Sequence, residues 1–359
     1  MSLFFDGGRI SMILVIIHCY LVTGLAGCAV HLASQTPSRA DLIPSTWYTV
    51  YFSVQGTERQ SAYHSGPENS LVEAIDRSRL SVEMAVDNLN LWVIRDALID
   101  AHRRGVVIRV VVDSDNLKNA EIQDLVEAGI PVSGDGRNGY MHDKFVIIDR
   151  AETWTGSMNF TLDGIYGSAN NLIRVRSLQL TQVYLSEFEE MFVEGTFGQG
   201  SDRDLDNPFV LIDGSLLEAY FAPEDQVAER LKGLIQAAQE SIHFLAYAFT
   251  DDELAAALVE ASNRGLEVGG VMDAAQARSN IASDYEFFVE NGLDVRLDDR
   301  PGKMHHKVLI IDKAIVVTGS YNFSNNARTR NDENTLIIHD KEVAEVYLGE
   351  FQRILAGLP

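Results

Sequence analysis

The chain has 359 residues, of which 46% are hydrophobic and 23% are charged, which is the composition of a globular protein with room for two domains or one duplicated domain. The formal net charge of −23 repels nucleic acid and anionic membranes at long range, although it does not forbid a local positive pocket.

The first predicted element is an apolar segment at the N-terminus. Arg9 precedes the apolar residues 10–25, which end in the small residues of Leu25-Ala26-Gly27-Cys28. A short apolar stretch of this kind is typical of a secretion signal rather than a membrane span, although its length alone leaves an uncleaved anchor open. We expect residues 1–27 to be a signal peptide and the polar residues 28–45 to be a tether.

The four residues that end this segment resemble the bacterial lipoprotein box. The resemblance implies that Cys28 is lipidated after cleavage, which would make the protein an extracytoplasmic, membrane-anchored bacterial lipoprotein. The only other cysteine, Cys19, would be removed with the signal. We therefore expect neither an internal disulfide nor a cysteine metal site in the mature protein.

After the tether, two stretches of the chain carry the same succession of predicted elements. The matched elements are 48–54 with 217–223, 71–77 with 227–238, 80–86 with 241–248, 97–105 with 257–265, and 106–113 with 266–273. Alternating strands and helices predict an α/β fold in which each half is a mixed, largely parallel β-sheet flanked by helices. A repeat this long indicates a duplicated domain, with the first repeat at 46–200 and the second at 205–359.

A motif lies at the same place in each half, and its two copies are 163 residues apart. It reads His-x-Lys-x4-Asp and is followed at a fixed distance by Gly-Ser-x-Asn. The first copy consists of His142, Lys144, Asp149, Gly156, Ser157 and Asn159. The second consists of His305, Lys307, Asp312, Gly319, Ser320 and Asn322. Two histidines and two lysines brought to one point would make a metal-free site for breaking a phosphodiester.

The spacing within each copy fits a buried strand, because residues two apart on a strand share a face. The histidine and the lysine of each motif therefore point the same way, whereas Asp143 and His306 point to the opposite face. Asp149 and Asp312 end their strands, where a carboxylate can hold turn amides, so we assign them a structural role. Gly156 and Gly319 would allow close backbone approach.

These residues resemble the signature of the phospholipase D superfamily, over roughly residues 46–356. The resemblance implies that the two halves face each other across a pseudo-two-fold axis and form one active site. One histidine would attack phosphorus to give a phosphohistidine, and the other would protonate the leaving group and then activate water or an alcohol. The lysines would stabilise charge on the phosphate oxygens, together with Ser157, Asn159, Ser320 and Asn322. No metal or other cofactor is implied, and a monomer would suffice because one chain carries both copies.

The two halves differ at one position of this pattern. Glu333 lies 28 residues after His305, whereas Asn170 occupies the matching position after His142. The carboxylate resembles the family's partner of the histidine ring, and an amide can orient a ring but brings no charge. We therefore expect His305 to be the more basic histidine and, by family habit, the acid, with His142 as the nucleophile; the reverse assignment stays open.

The substrate is less constrained than the chemistry. A phospholipase D-type hydrolase of phospholipid head groups fits the predicted lipid anchor and the acidic charge. An extracytoplasmic endonuclease of the same superfamily is the alternative, although no basic stripe or nucleic-acid-binding motif is present. A phosphatidyl transferase would share the chemistry, and a catalytically inactive binding or scaffold protein is favoured only by Asn170.

Overall fold

The computed structural model of the protein describes residues 47–55, 66–200 and 208–358. The predicted signal peptide at 1–27, the lipidation site Cys28 and the tether at 28–45 lie outside these residues. No helix in the described ranges is long and apolar enough to cross a membrane.

The first half alternates strands and helices as the sequence predicts. Its strands are β1 (Tyr48–Phe52), β2 (Ser81–Val86), β3 (Val107–Val112), β4 (Val132–Gly134), β5 (Lys144–Ile148), β6 (Glu152–Gly156), β7 (Ser168–Ala169) and β8 (Asn171–Arg176). Its α-helices are α1 (Glu68–Arg77), α2 (Trp92–Arg103), α3 (Ala120–Glu127) and α4 (Leu178–Glu189). Short 3₁₀ or π turns lie at Ser114–Asn116, Asp163–Gly167, Glu190–Glu194 and Gly198–Gly200.

The second half repeats this succession, with an additional edge strand at its start and three further two-residue strands. Its strands are β9 (Phe209–Ile212), β10 (Ser215–Ala222), β11 (Ser241–Ala246), β12 (Phe249–Thr250), β13 (Glu267–Asp273), β14 (Asp294–Asp298), β15 (Lys303–Met304), β16 (Lys307–Ile311), β17 (Ile315–Gly319), β18 (Phe323–Ser324) and β19 (Glu333–His339). Its helices are α5 (Val227–Ala237), α6 (Asp252–Asn263), α7 (Ala274–Ser279), α8 (Tyr285–Glu290), α9 (Asn325–Thr329) and α10 (Lys341–Ala356). The two-residue strands β12, β15 and β18 have no assigned counterpart in the first half.

Each half folds around one mixed sheet. The first sheet has the strand order β1-β8-β6-β5-β2-β3-β4, and the second has β14-β13-β11-β16-β17-β19-β10-β9. Read from opposite ends, the two orders match strand for strand, and β9 extends one edge of the second sheet. In both sheets the motif strand (β5 or β16) is central and antiparallel to its two neighbours. The next strand pair on one side is parallel, β2 with β3 and β11 with β13, whereas the next pair on the other side is antiparallel, β6 with β8 and β17 with β19. The predicted duplicated α/β fold with mixed sheets is therefore confirmed. The expectation that the sheets are largely parallel is wrong, because short turns join β5 to β6 and β16 to β17, and most neighbouring strands in each sheet run antiparallel.

The two halves share a hydrophobic core. Its members come from both sheets and from α4 and α10, and its rings meet edge to face. The Tyr184 ring of the first half lies 5.1 Å from Phe145 and 5.2 Å from Phe221 of the second half, measured between ring centroids. Two further cores lie on the outer faces, under α1–α3 in one half and α5–α8 in the other. Each motif strand is thus buried on both faces, which explains why both read as continuous apolar runs.

Candidate active site

Each motif histidine stands just before a central strand and is placed there by an aspartate of its own half. Asp113 Oδ2 accepts a hydrogen bond from the Met141 amide, and Asp273 Oδ2 accepts one from the Met304 amide, both at 3.1 Å. Both carboxylates also cap the helical turn that follows their strand. The two aspartates end matching predicted strands, 106–113 and 266–273, but nothing in the sequence indicates that they hold the residue before each histidine.

Backbone hydrogen bonds tie each histidine to the opposite half. The His142 amide donates to the carbonyl of Asp332, and the His305 amide donates to the carbonyl of Ala169, each at 2.9 Å. Both contacts have the same form because the halves are related by an approximate two-fold. The site is therefore built at the seam between the halves rather than within either one.

The docking of the two halves also decides which histidine ring the Glu333 carboxylate contacts. Glu333 Oε2 lies 2.7 Å from His142 Nδ1, across the seam, and not beside His305 of its own half. The Glu333 side chain is fully buried and also accepts from Ser320 Oγ at 2.7 Å and Asn331 Nδ2 at 3.1 Å. The expectation that Glu333 favours protonation of His305 is therefore wrong. Although Glu333 follows His305 by 28 residues in the chain, its side chain contacts the histidine of the other half.

His305 has an uncharged partner instead. Its Nδ1 lies 2.9 Å from Asn170 Oδ1 and 3.2 Å from the carbonyl of Ser157, both in the first half. Because Asn170 Nδ2 donates to the carbonyl of Gly164, its Oδ1 must face the ring as an acceptor. Two acceptors at Nδ1 fix the proton there and leave Nε2 unprotonated, as an acceptor. Asn170 thus orients His305 without adding charge. The sequence predicted this role for Asn170 but assigned it to His142.

The two lysines lie beside the rings, as their spacing requires. Lys144 Nζ donates to the His142 carbonyl at 2.7 Å, and Lys307 Nζ donates to the His305 carbonyl at 2.9 Å and approaches His305 Nε2 at 3.2 Å. Burial lowers the pKa of both lysines, and that of Lys307 well below its usual value. Burial, and then the charges of Lys307 and Lys144, hold the pKa of His305 well below its ordinary range. Because the charges of Lys144 and His142 in the first motif lower the pKa of His305 in the second, the two motifs form one electrostatic site.

A cavity of about 560 Å³ opens onto this site. Its lining comes from both halves and is mostly uncharged: Asp87, Tyr140, His142, Tyr247, Ala248, Thr250, Gln276, Asn280, Ala282, Asn322, Ser324, Asn325, Asn326 and Asn331. Asp87 is the one carboxylate among them, and neither lysine nor arginine belongs to the lining. Of the two motifs, His142 and Asn322 belong to this lining, whereas Lys144, His305 and Lys307 do not.

The motif serines have a different task from the phosphate contact that was expected of them. Ser157 Oγ donates to Asn170 Oδ1 at 2.9 Å, as Ser320 Oγ donates to Glu333, and each hydroxyl also accepts a backbone amide hydrogen bond. A hydroxyl has one proton to donate, so neither serine has one left for a phosphate oxygen. Asn322 does line the cavity, and its Oδ1 has no hydrogen-bond partner, so its predicted phosphate contact and that of Asn159 stay predictions.

The structural assignments of the other motif residues are confirmed. Asp149 accepts from three consecutive amides, at Arg79 to Ser81, and Asp312 from three at Gln239 to Ser241. A Cβ on Gly156 would lie 2.3 Å from the Asn171 carbonyl oxygen, and one on Gly319 would lie 2.2 Å from that of Asn334. Both glycines are therefore required for the close approach of neighbouring strands.

His306 is a buried structural residue, as the strand geometry predicts. Its Nε2 lies 3.2 Å from Glu350 and its Nδ1 lies 3.1 Å from Asn171 Nδ2, away from the cavity. Within residues 47–55, 66–200 and 208–358, no group of three or more His, Cys, Asp or Glu side chains is placed to hold a metal ion.

Comparison with known proteins agrees with the geometry of the site. The family described as "Cardiolipin synthase, PLD-like domain" matches residues 71–192 and again 231–355. A phospholipase D of Rickettsia prowazekii is 38% identical over 128 residues, which cover 36% of this chain and 62% of that protein. The human mitochondrial cardiolipin hydrolase is 35% identical over 130 residues, which cover 36% of this chain and 51% of that one. The chain thus spans between half and two thirds of the length of these relatives.

The fold of both halves together also has a counterpart among solved structures. The phosphatidylserine synthase of Haemophilus influenzae superposes with a TM-score of 0.63 at 12% identity, covering 81% of this chain and 84% of that one. At this identity the likeness concerns the fold alone. With the domain matched twice and the two motifs converging at the seam, the chain belongs to the phospholipase D superfamily.

Proposed function

We propose that the protein is a phosphodiesterase of phospholipase D type that hydrolyses phospholipid head groups through a phosphohistidine, without a metal ion. The observation that carries this proposal is the exchange of partners at the seam. Each motif histidine is oriented by a residue of the opposite half, at 2.7 Å for His142 and 2.9 Å for His305. Two oriented imidazoles with two lysines supply a nucleophile, an acid and positive charge for one phosphodiester.

The exchange of partners also reverses the roles expected for the two histidines. Glu333 accepts a hydrogen bond from His142 Nδ1 at 2.7 Å and places a carboxylate beside that ring, which is the arrangement of an acid–base histidine. The fixed Nδ1 proton of His305 and its positive neighbours keep Nε2 unprotonated, which a nucleophile needs. In this assignment His305 Nε2 attacks phosphorus and His142 protonates the leaving alcohol.

The second step runs through the same two groups. As the phosphorus–oxygen bond to the alcohol breaks, His142 loses its proton to that oxygen and becomes a base. It then accepts a proton from water, whose oxygen attacks phosphorus and releases His305 with its electron pair. Lys144 and Lys307 stabilise the charge on the non-bridging oxygens in both steps. An alcohol in place of water would give phosphatidyl transfer from the same intermediate, which the cardiolipin synthase description of the matching family supports.

Two observations favour a phospholipid over a polynucleotide. The cavity lining contains no lysine or arginine, whereas a nucleic acid would bring further phosphates that need neutralisation outside the reacting one. Relatives over about a third of the chain are named phospholipase D and cardiolipin hydrolase. The net charge of −23 acts in the same direction.

A substrate comparison tests this proposal. The full-length protein in mild detergent would be incubated in EDTA with phosphatidylcholine, phosphatidylethanolamine or phosphatidylglycerol vesicles, and separately with plasmid DNA. We expect release of a head group from lipid and intact supercoiled DNA, and we expect His305→Asn to abolish the release. Nicking of the plasmid without head-group release would replace the lipid substrate by a nucleic acid. A well-folded protein with neither activity would contradict the proposal.

The predicted location is proposed on the sequence alone. The apolar segment that ends at Cys28 supports an extracytoplasmic lipoprotein, which would place the site beside its lipid substrate. Labelling of bacterial cells with a radioactive fatty acid should mark the wild-type chain but not Cys28→Ala. Equal labelling of both chains would contradict the anchor.

A further inference from the structure

The residue after strand β2 and the residue after strand β11 occupy equivalent places in the two halves but have different chemistry. The Asp87 amide donates to the carbonyl of Asp143, and the Tyr247 amide donates to the carbonyl of His306, which is the equivalent position of the second motif. Both side chains line the active-site cavity. One motif therefore faces a carboxylate at this place and the other faces an aromatic ring.

Tyr247 contacts both reactive groups of the second motif. Its ring centroid lies 4.5 Å from that of His305 and 4.9 Å from Lys307 Nζ. Gln276 Nε2 donates to the tyrosine oxygen at 2.9 Å and fixes the ring. Gln276 in turn is held by Asp273, whose other oxygen holds the residue before His305. The ring and the histidine are thus positioned by the same carboxylate.

Asp87 is held in a parallel way but acts through charge. Asn116, which is equivalent to Gln276 in the repeat, donates its Nδ2 to the Asp87 carbonyl at 2.9 Å. Burial lowers the pKa of Lys144, and the Asp87 carboxylate opposes that effect more than the other acids near it. Asp87 thus favours a charged lysine on the His142 side, where Glu333 already supplies negative charge.

We propose that Tyr247 is a positioning residue, which holds the His305 ring and the Lys307 ammonium against its face so that His305 Nε2 stays unprotonated and able to attack phosphorus. This inference rests on the proposed function for its catalytic meaning. The ring attracts the ammonium through its negative face and packs against the imidazole, yet it gives the histidine no counter-charge. A carboxylate at the same place, as in the first half, would favour the imidazolium and remove the nucleophile.

The other groups that face His305 do not supply this negative charge. The charged groups that act most on it are Lys307 of its own motif, Lys144 and His142 from the first half, and Lys303 on β15, all of which disfavour its protonation. Its Nδ1 contacts, Asn170 and the Ser157 carbonyl, are neutral. The nearby carboxylates are engaged elsewhere: Asp273 accepts from the Met304 amide, and Glu333 lies beside His142. A carboxylate at position 247 would stand directly against the His305 ring, where Tyr247 now lies.

The test is a histidine NMR titration of the full-length protein without substrate, combined with pH–rate profiles. In the wild type we expect His305 to remain neutral with its proton on Nδ1 at pH 6. Tyr247→Asp should raise its pKa by about one pH unit or more and move the acid limb of kcat/KM upward by the same amount. Tyr247→Phe keeps the ring and should retain the neutral tautomer and a rate within about threefold. Tyr247→Leu loses the ring and should lower kcat by about tenfold or more with little change in KM.

Two controls separate positioning from a general loss of structure. His306, which is buried beside Glu350, should keep its resonances in every variant. Asp149→Asn changes a turn of the other half, where the carboxylate only holds backbone amides, and should leave the His305 resonances in place. A His305 titration unmoved by Tyr247→Asp, or a Phe variant as slow as the Leu variant, would overturn the proposal. The titration needs no substrate, so it decides the role of Tyr247 even if no phospholipid is cleaved and the proposed function fails.

Discussion

The two sides of the active site share a backbone and differ in charge. On one side His142 meets a buried carboxylate, Glu333, with Asp87 facing the neighbouring lysine. On the other side His305 meets an amide, Asn170, with the Tyr247 ring facing the lysine. The strand order and the hydrogen bonds that place the histidines are the same on both sides. A duplicated fold can therefore assign different tasks to identical residues by changing only their partners.

The largest expected effect comes from removing either histidine, and the leaving group should tell them apart. His305→Asn should lower kcat by about 10⁴-fold or more for every substrate, because no nucleophile remains. His142→Asn should lose as much with phospholipid but should still form a phosphoenzyme with a p-nitrophenyl phosphodiester, whose leaving group needs no acid. Rapid quenching with a ³²P-labelled ester and peptide mapping would show the label on His305.

The opposite pattern would restore the roles expected from the sequence. Label on His142, with turnover of the p-nitrophenyl ester rescued in His305→Asn, would make His142 the nucleophile. In that case Glu333 would act on the histidine that forms the phosphohistidine, and not on the histidine that protonates the leaving group.

Glu333→Gln should have the next largest effect, because it makes the His142 side resemble the Asn170 side. The amide would keep a contact to His142 but would remove the carboxylate beside a ring that has to release and regain a proton, so kcat on phospholipid should fall by about a hundredfold. The loss should be much smaller with a p-nitrophenyl ester, and steady-state assays on both substrates would measure the ratio. Equal losses on the two substrates would show that Glu333 does not act through the acid.

Asn170→Asp tests the reverse change and should have a smaller effect. A carboxylate 2.9 Å from His305 Nδ1 would raise the pKa of that ring, which burial now holds well below its ordinary value. A higher pKa means that more of the nucleophile is protonated at a given acidic pH. The acid limb of kcat/KM should therefore move to higher pH, with about tenfold loss near pH 5.5 and little change at pH 8. A profile identical to that of the wild type would show that His305 is not the group whose protonation limits the rate.

The sequence predicted the fold well because the signals that specify it are local and occur twice. The apolar motif strands and the aspartates that end them each follow from chain-local chemistry. Asp149 and Asp312 hold the amides expected of them, and Gly156 and Gly319 lie where a side chain would strike a carbonyl. Duplication helped, because each local pattern had a second copy at a fixed offset against which it could be checked.

The partner exchange could not be predicted, because it is a property of how two halves dock. The 28-residue spacing relates Glu333 to His305 in the chain, but β19 and the motif strand of the opposite half meet across the seam. Tyr247 was missed for a related reason, since a tyrosine at the end of an apolar strand has no signature of its own. The alignment of the repeats contained a signal, Asp87 opposite Tyr247, that becomes meaningful once both residues are seen to line one cavity.

Residues that serve the fold rather than the chemistry should respond equally in the two halves, and this gives the smallest predicted effect. Asp149→Asn and Asp312→Asn each weaken hydrogen bonds to three consecutive amides at the same turn, so each should lower the free energy of unfolding by about 1 to 2 kcal/mol. Urea unfolding of the two variants would measure it, with kcat near the wild-type value in both. A large difference between them would mean that the halves are unequal in stability as well as in charge. Matched losses, together with unequal effects of Glu333→Gln and Asn170→Asp, would locate the asymmetry of this protein in the partners of its two histidines and leave the fold symmetric.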